Sequence, residues 1–195
     1  LEAVSAVRCN PLSANRKGIN LGEAAAFFVL TREPAAVRLA GWGETQDAHH
    51  MSAPDPSGHG AKAAMQLALQ REGMPASAVD YVNLHGTATV HNDAMESIAV
   101  HDVLGSEVPV SSTKPLTGHT LAAAGALEAA IALCVLQDTP QGLLPVHWWD
   151  GVPDTSMPRL HTVQAGETLA RAPQVVLSNS FAFGGSNCAL VLACA

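Results

Sequence analysis

The sequence is poor in aromatic side chains and in charge. Aromatic residues make up 4% of its 195 positions and charged residues 14%, whereas 48% are hydrophobic. Small aliphatic side chains must therefore fill the core, and a chain of this length can build a sizeable one. Basic residues are scarcer than acidic ones, ten against seventeen, which gives a formal net charge of −7. That balance, without any polybasic run, argues against a nucleic-acid-binding surface.

Paired cysteines are also missing. No CxxC motif joins any of the four cysteines, which are Cys9, Cys134, Cys188 and Cys194. Cys134 and Cys188 lie in apolar segments, where a free cysteine acts as a small core residue. This usage favours a reducing compartment, and we expect the cytoplasm. Zinc binding is an alternative for a chain with nine histidines, but the adjacent His49 and His50 belong to no two-plus-two ligand pattern.

Signals for secretion or membrane insertion are weak. The first ten residues, LEAVSAVRCN, lack the charged-then-apolar order of a signal peptide. The longest apolar stretch, residues 121–136, is short for a membrane span, rich in Ala and interrupted by Glu128. We therefore expect neither a signal peptide nor a membrane segment.

Hydrophobic periodicity divides the chain into alternating strands and helices. It predicts strands at residues 24–30, 36–42, 79–84, 108–112, 175–180 and 188–192. It predicts helices at residues 61–72 and 93–104 and from residue 119, the end of another helix at 1–8, and loops at 10–18, 45–60 and 138–173. The continuous apolar run 24–30 is typical of a strand buried on both faces, with 36–42 as its neighbour. Asn92 is the expected cap of the second helix. The order indicates an α/β domain with a mixed sheet.

The stretch of residues 111–136, SSTKPLTGHTLAAAGALEAAIALCVL, is central to the chain. A helix made almost wholly of Ala and Leu belongs in a buried layer. Glu128 on this helix then needs a partner, and Lys114 or another polar group must supply it. A helix N-terminus would lower the pKa of His119 and keep its imidazole neutral, with one ring nitrogen free to donate. The alternative is a capping histidine and a solvated lysine.

Two further segments place polar groups at strand ends. NLHGTAT puts His85 after a strand, with the hydroxyls of Thr87 and Thr89 on one side of the chain. SNSFAFGGSN contains Gly184 and Gly185, whose backbone N–H groups can point at a ligand. Taken singly, the first is explained by a structural histidine and the second by a tight hairpin. Ligands bind at the carboxyl ends of strands in α/β sheets, so the three segments together predict one site.

These motifs resemble the C-terminal half of a β-ketoacyl-acyl-carrier-protein synthase of the thiolase superfamily. The signatures are NLHGTAT, SSTKPLTGH followed by AAAGALEAA, and SNSFAFGGSN, supported by NRKGINLGEAAAFFVL and DAHHMSAPDP. The resemblance covers essentially residues 1–195, which we interpret as one thiolase-like half-domain. It implies a mixed, mostly parallel five-stranded sheet with helices on both faces. NLHGTAT, HNDAMES and PVHWWDG are most similar to synthases of aryl-polyene-type bacterial clusters.

The resemblance implies an acyltransferase that performs a decarboxylative Claisen condensation in fatty-acid or polyene biosynthesis. His85 and His119 would stabilise the enolate oxygen, and Lys114, partnered by Glu128, would tune the site. The backbone N–H of Phe183 would form half of an oxyanion hole, next to Gly184 and Gly185 in the substrate-binding loop, and its ring would gate the acyl pocket.

The resemblance also implies ligands and partners. Thr87 and Thr89 would bind the phosphopantetheine arm that arrives on an acyl carrier protein, so no cofactor of the enzyme's own is expected. Some family members hold a structural monovalent cation, Na⁺ or K⁺. Its ligands here would be Asn83, Glu96, Glu128, Ser178 and Asn179.

The family's nucleophilic cysteine lies in an N-terminal half that this sequence does not include, and none of the four cysteines replaces it. We therefore expect a complementary N-terminal half, and a homo- or heterodimer of the complete enzyme. Two smaller departures are Ala182, where glycine is usual, and Ser13, where an acid is common. The alternatives are a non-catalytic, chain-length-factor-like partner subunit and a thiolase. Retention of His85, Lys114 and His119 favours the catalytic synthase.

Overall fold

Six strands form one mixed sheet in the computed structural model, which describes residues 4–195. In chain order they are β1 Val37–Gln46, β2 Tyr81–Asn83, β3 Pro109–Ser111, β4 His161–Thr162, β5 Val175–Phe181 and β6 Ser186–Cys194. The spatial order is β1-β6-β5-β2-β3-β4. β6 is antiparallel to both β1 and β5, whereas β5, β2, β3 and β4 run parallel. The predicted mixed, mostly parallel sheet is confirmed.

Helices cover both faces of the sheet, also as predicted. They are α1 His59–Arg71, α2 Val90–Leu104, the one-turn α3 Lys114–Thr117 and α4 Ala124–Asp138. Neighbouring residues of β5 point to opposite faces, because Leu177 packs with α1 and α2 while Val176 packs with α4. The sheet therefore separates two cores, and its carboxyl ends stay open to one side.

The resemblance implied a sheet of five strands, and the structure has six. The additional strand is β4, two residues long, which pairs with β3 inside a segment predicted to be a loop. Two residues are too short to produce a readable alternation of apolar and polar side chains. The predicted strand 36–42 is present as β1, which continues to Gln46 and pairs with β6.

The prediction of a buried strand at residues 24–30 is wrong for the chain by itself. These residues belong to no strand, and Phe27 and Val29 are 95% and 94% exposed. The run just before them lies against the central stretch, where His119 N–H donates to Asn20 O at 2.6 Å and Gly22 N–H to His119 O at 3.1 Å. An apolar run of this kind needs a strand partner and cover on both faces, and the described residues supply neither.

Three smaller predictions also need correction. Residues 1–3 of the predicted helix end lie outside the described residues, and residues 4–8 are not helical, with Val4 bridging Ile19. Helix α2 begins one turn earlier than predicted, after Thr89, so Asn92 is a buried residue inside it and not its cap. Cys134 is exposed on α4, which buries only one side within this chain, and Cys188 on β6 is half-buried.

The helix predicted to begin at His119 begins five residues later. Gly118 has φ 73°, a one-turn 3-10 helix covers Leu121–Ala123, and α4 follows. The 18 residues Leu121–Asp138 have a mean hydropathy of 1.6 and are long and apolar enough to cross a membrane by composition alone. A core helix meets the same criterion, and α4 packs on β5 and β6. Its Glu128 is buried.

Helix α1 packs unusually close to β1. A Cβ atom on Gly43 would lie 1.9 Å from the carbonyl oxygen of Ala64, and one on Gly41 would lie 2.0 Å from that of Ala68. Both distances are shorter than any real contact, so only glycine fits at these two positions. The resulting approach of helix and strand fixes the loop that follows β1 and leads towards the site.

Candidate active site

The three predicted segments converge at the carboxyl ends of the parallel strands. His85 follows β2, Lys114 follows β3 and Phe183 follows β5. A cavity of about 1400 Å³ opens at this edge, and His85, Thr87, Thr89, His119 and Phe183 line it. The sheet topology thus brings together residues that are almost 100 positions apart in sequence.

His85 and His119 face each other edge to face, with ring centroids 5.4 Å apart. Nδ1 of His119 accepts a hydrogen bond from the backbone N–H of Leu121 at 3.3 Å, which leaves the proton on Nε2. On the other side of His85 the ring of Phe181 lies at 6.0 Å, also edge to face. The pair is therefore held in a fixed orientation with at least one ring N–H available as a donor.

Both imidazoles are kept neutral. Burial, with a smaller contribution from the nearby Lys114 ammonium, lowers the pKa of His119 to about 4. Burial also places the pKa of His85 well below its ordinary value, with the charges of Lys114 and His119 acting in the same direction. The expected neutral state is found, but its cause is desolvation and a neighbouring cation, because no helix begins at His119.

Lys114 is 2% exposed and Glu128 is 3% exposed, and the Lys114 ammonium donates to Glu128 Oε1. The expected partner of the buried carboxylate is therefore Lys114. Burial raises the pKa of Glu128, and the ammonium opposes that rise. An ammonium buried next to two imidazoles supplies a fixed positive potential to the cavity.

The NLHGTAT segment is fixed by a buried carboxylate. Glu96 on α2 accepts the backbone N–H of His85 at 2.8 Å and that of Gly86 at 2.7 Å. Burial raises the pKa of Glu96 to about 7, against the lowering effect of these two hydrogen bonds. The hydroxyls of Thr87 and Thr89 lie 2.9 Å apart, on the wall of the cavity. The loop thus presents two adjacent hydroxyls to any ligand that enters.

The glycine-rich segment turns between β5 and β6. Gly184 and Gly185 have φ values of 81° and 79°, in the left-handed region that favours glycine. Asp47 binds this turn from the loop after β1: its backbone N–H donates to Gly185 O at 2.8 Å, and its carboxylate accepts from Asn187 at 2.6 Å. The side chain of Phe183 is 72% exposed at the edge of the cavity, in position to move.

The predicted cation ligands are buried residues of β2, α2, α4 and β5. Asn83 and Ser178 are paired across β2 and β5, and Asn179 donates to Glu96 at 3.2 Å. Several of their atoms are buried without a hydrogen-bond partner: Asn83 Oδ1 and Nδ2, Asn179 Oδ1 and Glu128 Oε2. Unpaired buried oxygens are costly, and a bound cation is one way to satisfy them. Among the residues described, no three His, Cys, Asp or Glu side chains cluster as metal ligands.

Two buried residues that support the site were not predicted. Asp93, on α2, accepts the N–H groups of Leu12 at 2.8 Å and Ala88 at 3.2 Å, two residues with positive φ. His147 accepts a hydrogen bond from the backbone N–H of Ser112, two residues before Lys114. Asp93 could have been predicted, because an acidic residue in the first turn of a helix often accepts backbone N–H groups. His147 could not, because it lies in a proline-rich segment without periodicity.

Comparison with known proteins finds similar sequences and folds. Residues 36–144 match the model of the β-ketoacyl synthase C-terminal domain. 3-oxoacyl-[acyl-carrier-protein] synthase 2 of Rhizobium meliloti is 37% identical over 93% of this chain and 44% of its own length. A chain in the structure of the ketosynthase ApeO in complex with its chain length factor ApeC, from Xenorhabdus doucetiae, is 41% identical, with TM-score 0.89 over 100% of this chain and 48% of that one.

The chain spans about half the length of the proteins it matches, among them the β-ketoacyl synthase of Burkholderia phymatum, with 29% identity and TM-score 0.86 over all of this chain and 50% of that one. The family match covers more than half of the residues and includes both His85 and His119. The chain belongs to the β-ketoacyl synthase C-terminal domain family.

Proposed function

We propose that this chain is the C-terminal half of a β-ketoacyl-acyl-carrier-protein synthase that condenses malonyl-carrier protein with an acyl thioester. The observation that carries this proposal is the pair of neutral imidazoles, His85 and His119, whose centroids lie 5.4 Å apart in one cavity. Lys114 beside them adds a buried positive charge. Neutral donors near a cation suit a reaction that develops negative charge on a carbonyl oxygen.

In the proposed reaction the malonyl thioester loses CO2, and the electrons of the broken C–C bond form an enolate. The N–H groups of His85 and His119 donate to the enolate oxygen. The enolate carbon then attacks the acyl carbonyl carbon on a cysteine, a C–C bond forms, and the cysteine thiolate leaves. The N–H of Phe183 would donate to the oxyanion of that second step. Each preorganised donor is worth on the order of 3 kcal/mol.

The substrate would enter on a phosphopantetheine arm carried by an acyl carrier protein, so the enzyme would need no cofactor of its own. Thr87 and Thr89 would donate to the amides of that arm, next to the glycine turn at Gly184 and Gly185. Support comes from their adjacent hydroxyls on the cavity wall.

A monovalent cation would bind among the buried polar residues that were predicted as its ligands. Asn83, Ser178, Asn179 and the carboxylates of Glu96 and Glu128 would hold it, in agreement with the unpartnered oxygens of Asn83, Asn179 and Glu128. The ion would supply positive charge that keeps these oxygens together beneath the strand ends. It would take no part in making or breaking bonds.

The acyl-bearing cysteine would come from a complementary N-terminal half. Support for that partner is the exposed apolar run at residues 24–30, with Phe27 and Val29 almost fully accessible. We further propose a cytoplasmic homo- or heterodimer in fatty-acid or polyene synthesis, of the aryl-polyene type indicated by the motifs.

A chain-length-factor-like partner subunit is the second candidate. It is favoured by the similarity to chains of two solved structures of a ketosynthase with a chain length factor, at 41% and 27% identity. Such a subunit would have no use for a histidine pair held neutral in an open cavity.

The test is to replace His85 or His119 by Ala in the complete enzyme and to measure CO2 release from malonyl-carrier protein. We expect each variant to lose decarboxylation by at least about 100-fold, because a transition-state donor is removed. His101→Ala is the matched control, since His101 is exposed on α2. Unchanged decarboxylation in both variants, with an active wild type, would favour the partner-subunit role.

A further inference from the structure

His147 is a buried histidine that the proposed reaction does not use. It is 2% exposed and lies between α4 and β4, where its backbone N–H donates to Val163 O at 2.9 Å. Burial lowers the pKa of its imidazole to about 4. The ring is edge to face with Trp149 at 5.7 Å, which restricts its rotation. A neutral, immobile imidazole at this place can fix whatever its two nitrogens contact.

Both ring nitrogens of His147 have a backbone partner. Nδ1 lies 3.1 Å from the backbone nitrogen of Ser112, and Nε2 lies 3.0 Å from the carbonyl oxygen of Pro11. An N–H group can only donate and a carbonyl oxygen can only accept, so Nδ1 accepts and Nε2 carries the proton. Only one neutral tautomer satisfies both contacts, and it joins the early loop to the segment after β3.

Ser112 in turn contacts the segments of two candidate catalytic side chains. Its hydroxyl donates to Gly86 O at 2.7 Å, next to His85, and accepts the backbone N–H of Lys114 at 3.3 Å. The fit is close, because a Cβ atom on Gly86 would lie 2.5 Å from Ser112 Cβ. A shift of the Ser112 backbone would therefore move the attachment points of both His85 and Lys114.

We propose that His147 is a positioning residue of the condensing site: its Nδ1 fixes the Ser112 backbone and, through the Ser112 hydroxyl, the spacing of His85 and Lys114. This inference rests on the proposed function. His147 does not line the cavity, so it acts through other residues and not on the substrate. Its contribution is geometric, and it depends on an acceptor at Nδ1 more than on the donor at Nε2.

Three substitutions in the complete enzyme separate these two contacts. His147→Asn keeps an acceptor close to the place of Nδ1, His147→Gln keeps a donor close to the place of Nε2, and His147→Phe keeps neither. We expect kcat for malonyl decarboxylation to stay within about 3-fold of wild type in the Asn variant and to fall about 10- to 100-fold in the other two, as for a displacement near 1 Å, with KM little changed. His101→Asn, on the exposed face of α2, is the control.

Amide hydrogen exchange at Ser112 provides a readout that does not depend on activity. We expect the Ser112 N–H to stay protected in wild type and His147→Asn and to exchange faster in His147→Gln and His147→Phe. Equal activity and equal protection in all three variants would refute the positioning role. If the wild-type enzyme releases no CO2, the proposed function fails and the exchange pattern alone decides on His147. If His147→Phe does not fold, the comparison of His147→Asn with His147→Gln still decides, because only the Asn variant keeps the acceptor.

Discussion

At the scale of single residues, the pair of Lys114 and Glu128 shows how far burial determines chemistry. Glu128 lies in a helix that is otherwise apolar, and a carboxylate there needs a cation. Its partner could be inferred from the sequence because Lys114 was the nearest basic residue of the same stretch. The neutral state of His119 was also inferred, but for the wrong reason, since periodicity could not show that a 3-10 turn separates it from α4.

The first residue-scale prediction concerns this ion pair. In the complete enzyme, Glu128→Leu leaves the Lys114 ammonium buried without a partner, and we expect a loss of about 3–5 kcal/mol in the free energy of unfolding. The double variant Lys114→Met, Glu128→Leu should recover most of that loss. Urea denaturation of both variants measures it. If the double variant is less stable than Glu128→Leu alone, the unpaired Lys114 ammonium is not the cause of the lost stability.

The second residue-scale prediction concerns pH. The pKa of His119 is about 4, and that of His85 is also lowered. As pH falls from 8 to 5.5 both imidazoles therefore remain neutral donors, and kcat/KM for decarboxylation should show no histidine-dependent loss until the pH approaches 4. Glu96, whose pKa is about 7, titrates within this pH range. The substitution Glu96→Gln eliminates that titration from the pH profile. A loss near pH 6.5 that persists in Glu96→Gln would contradict the neutral pair.

At the scale of elements, the contact between α1 and β1 leaves no room for a side chain at two positions of the strand. Both elements were predicted, because α1 has clear helical spacing and β1 alternates. The role of Gly41 and Gly43 was not, since a glycine inside a strand can also indicate a bulge or a bend. Only the approach of the Ala64 and Ala68 carbonyls shows that the glycines are needed for packing.

We expect Gly43→Ala to lower the free energy of unfolding of the complete enzyme by about 1–3 kcal/mol or more, because the added methyl group forces α1 away from β1. Glu44→Ala is the control: Glu44 is exposed on the opposite face of the same strand. Thermal unfolding of both variants provides the comparison. Equal destabilisation by the two substitutions would show that the close approach has no energetic consequence.

The run at residues 24–30 marks the limit of prediction at this scale. Its composition is that of a strand buried on both faces, and Phe27 through Leu30 are instead exposed. A pattern of side chains reports the environment for which a segment is suited, and it cannot tell which chain provides that environment. The same holds for α4, whose apolar outer side gave Cys134 a core-like context although Cys134 is exposed.

At the scale of the whole molecule, the chain has a sheet with its own two cores and a candidate site that, in the proposed function, receives its nucleophile from another polypeptide segment. Among the residues described, the run at residues 27–30 is apolar and exposed, and the apolar outer side of α4 is only partly buried. Surfaces of this kind larger than about 400 Å² favour association.

We therefore expect the isolated chain to elute in size-exclusion chromatography as an aggregate or oligomer. Co-expression with the N-terminal half should give a defined complex instead. A comparison with Phe27→Lys, Val29→Lys tests the surface involved: the isolated variant should associate less, and it should bind the N-terminal half less well. A soluble monomer of the unmodified chain, stable at high concentration, would argue against a partner that covers this apolar surface.

The burial of Lys114 offers a way to follow the integrity of the site without substrate. The chain has three lysines; Lys17 is exposed and Lys62 is half-buried, whereas Lys114 is only 2% exposed. An amine-acylating reagent should therefore label Lys17 and Lys62 in the folded protein and reach Lys114 only after local opening. The time course of that third label, read from tryptic peptides, would report how often the buried ammonium of Lys114 is released into water.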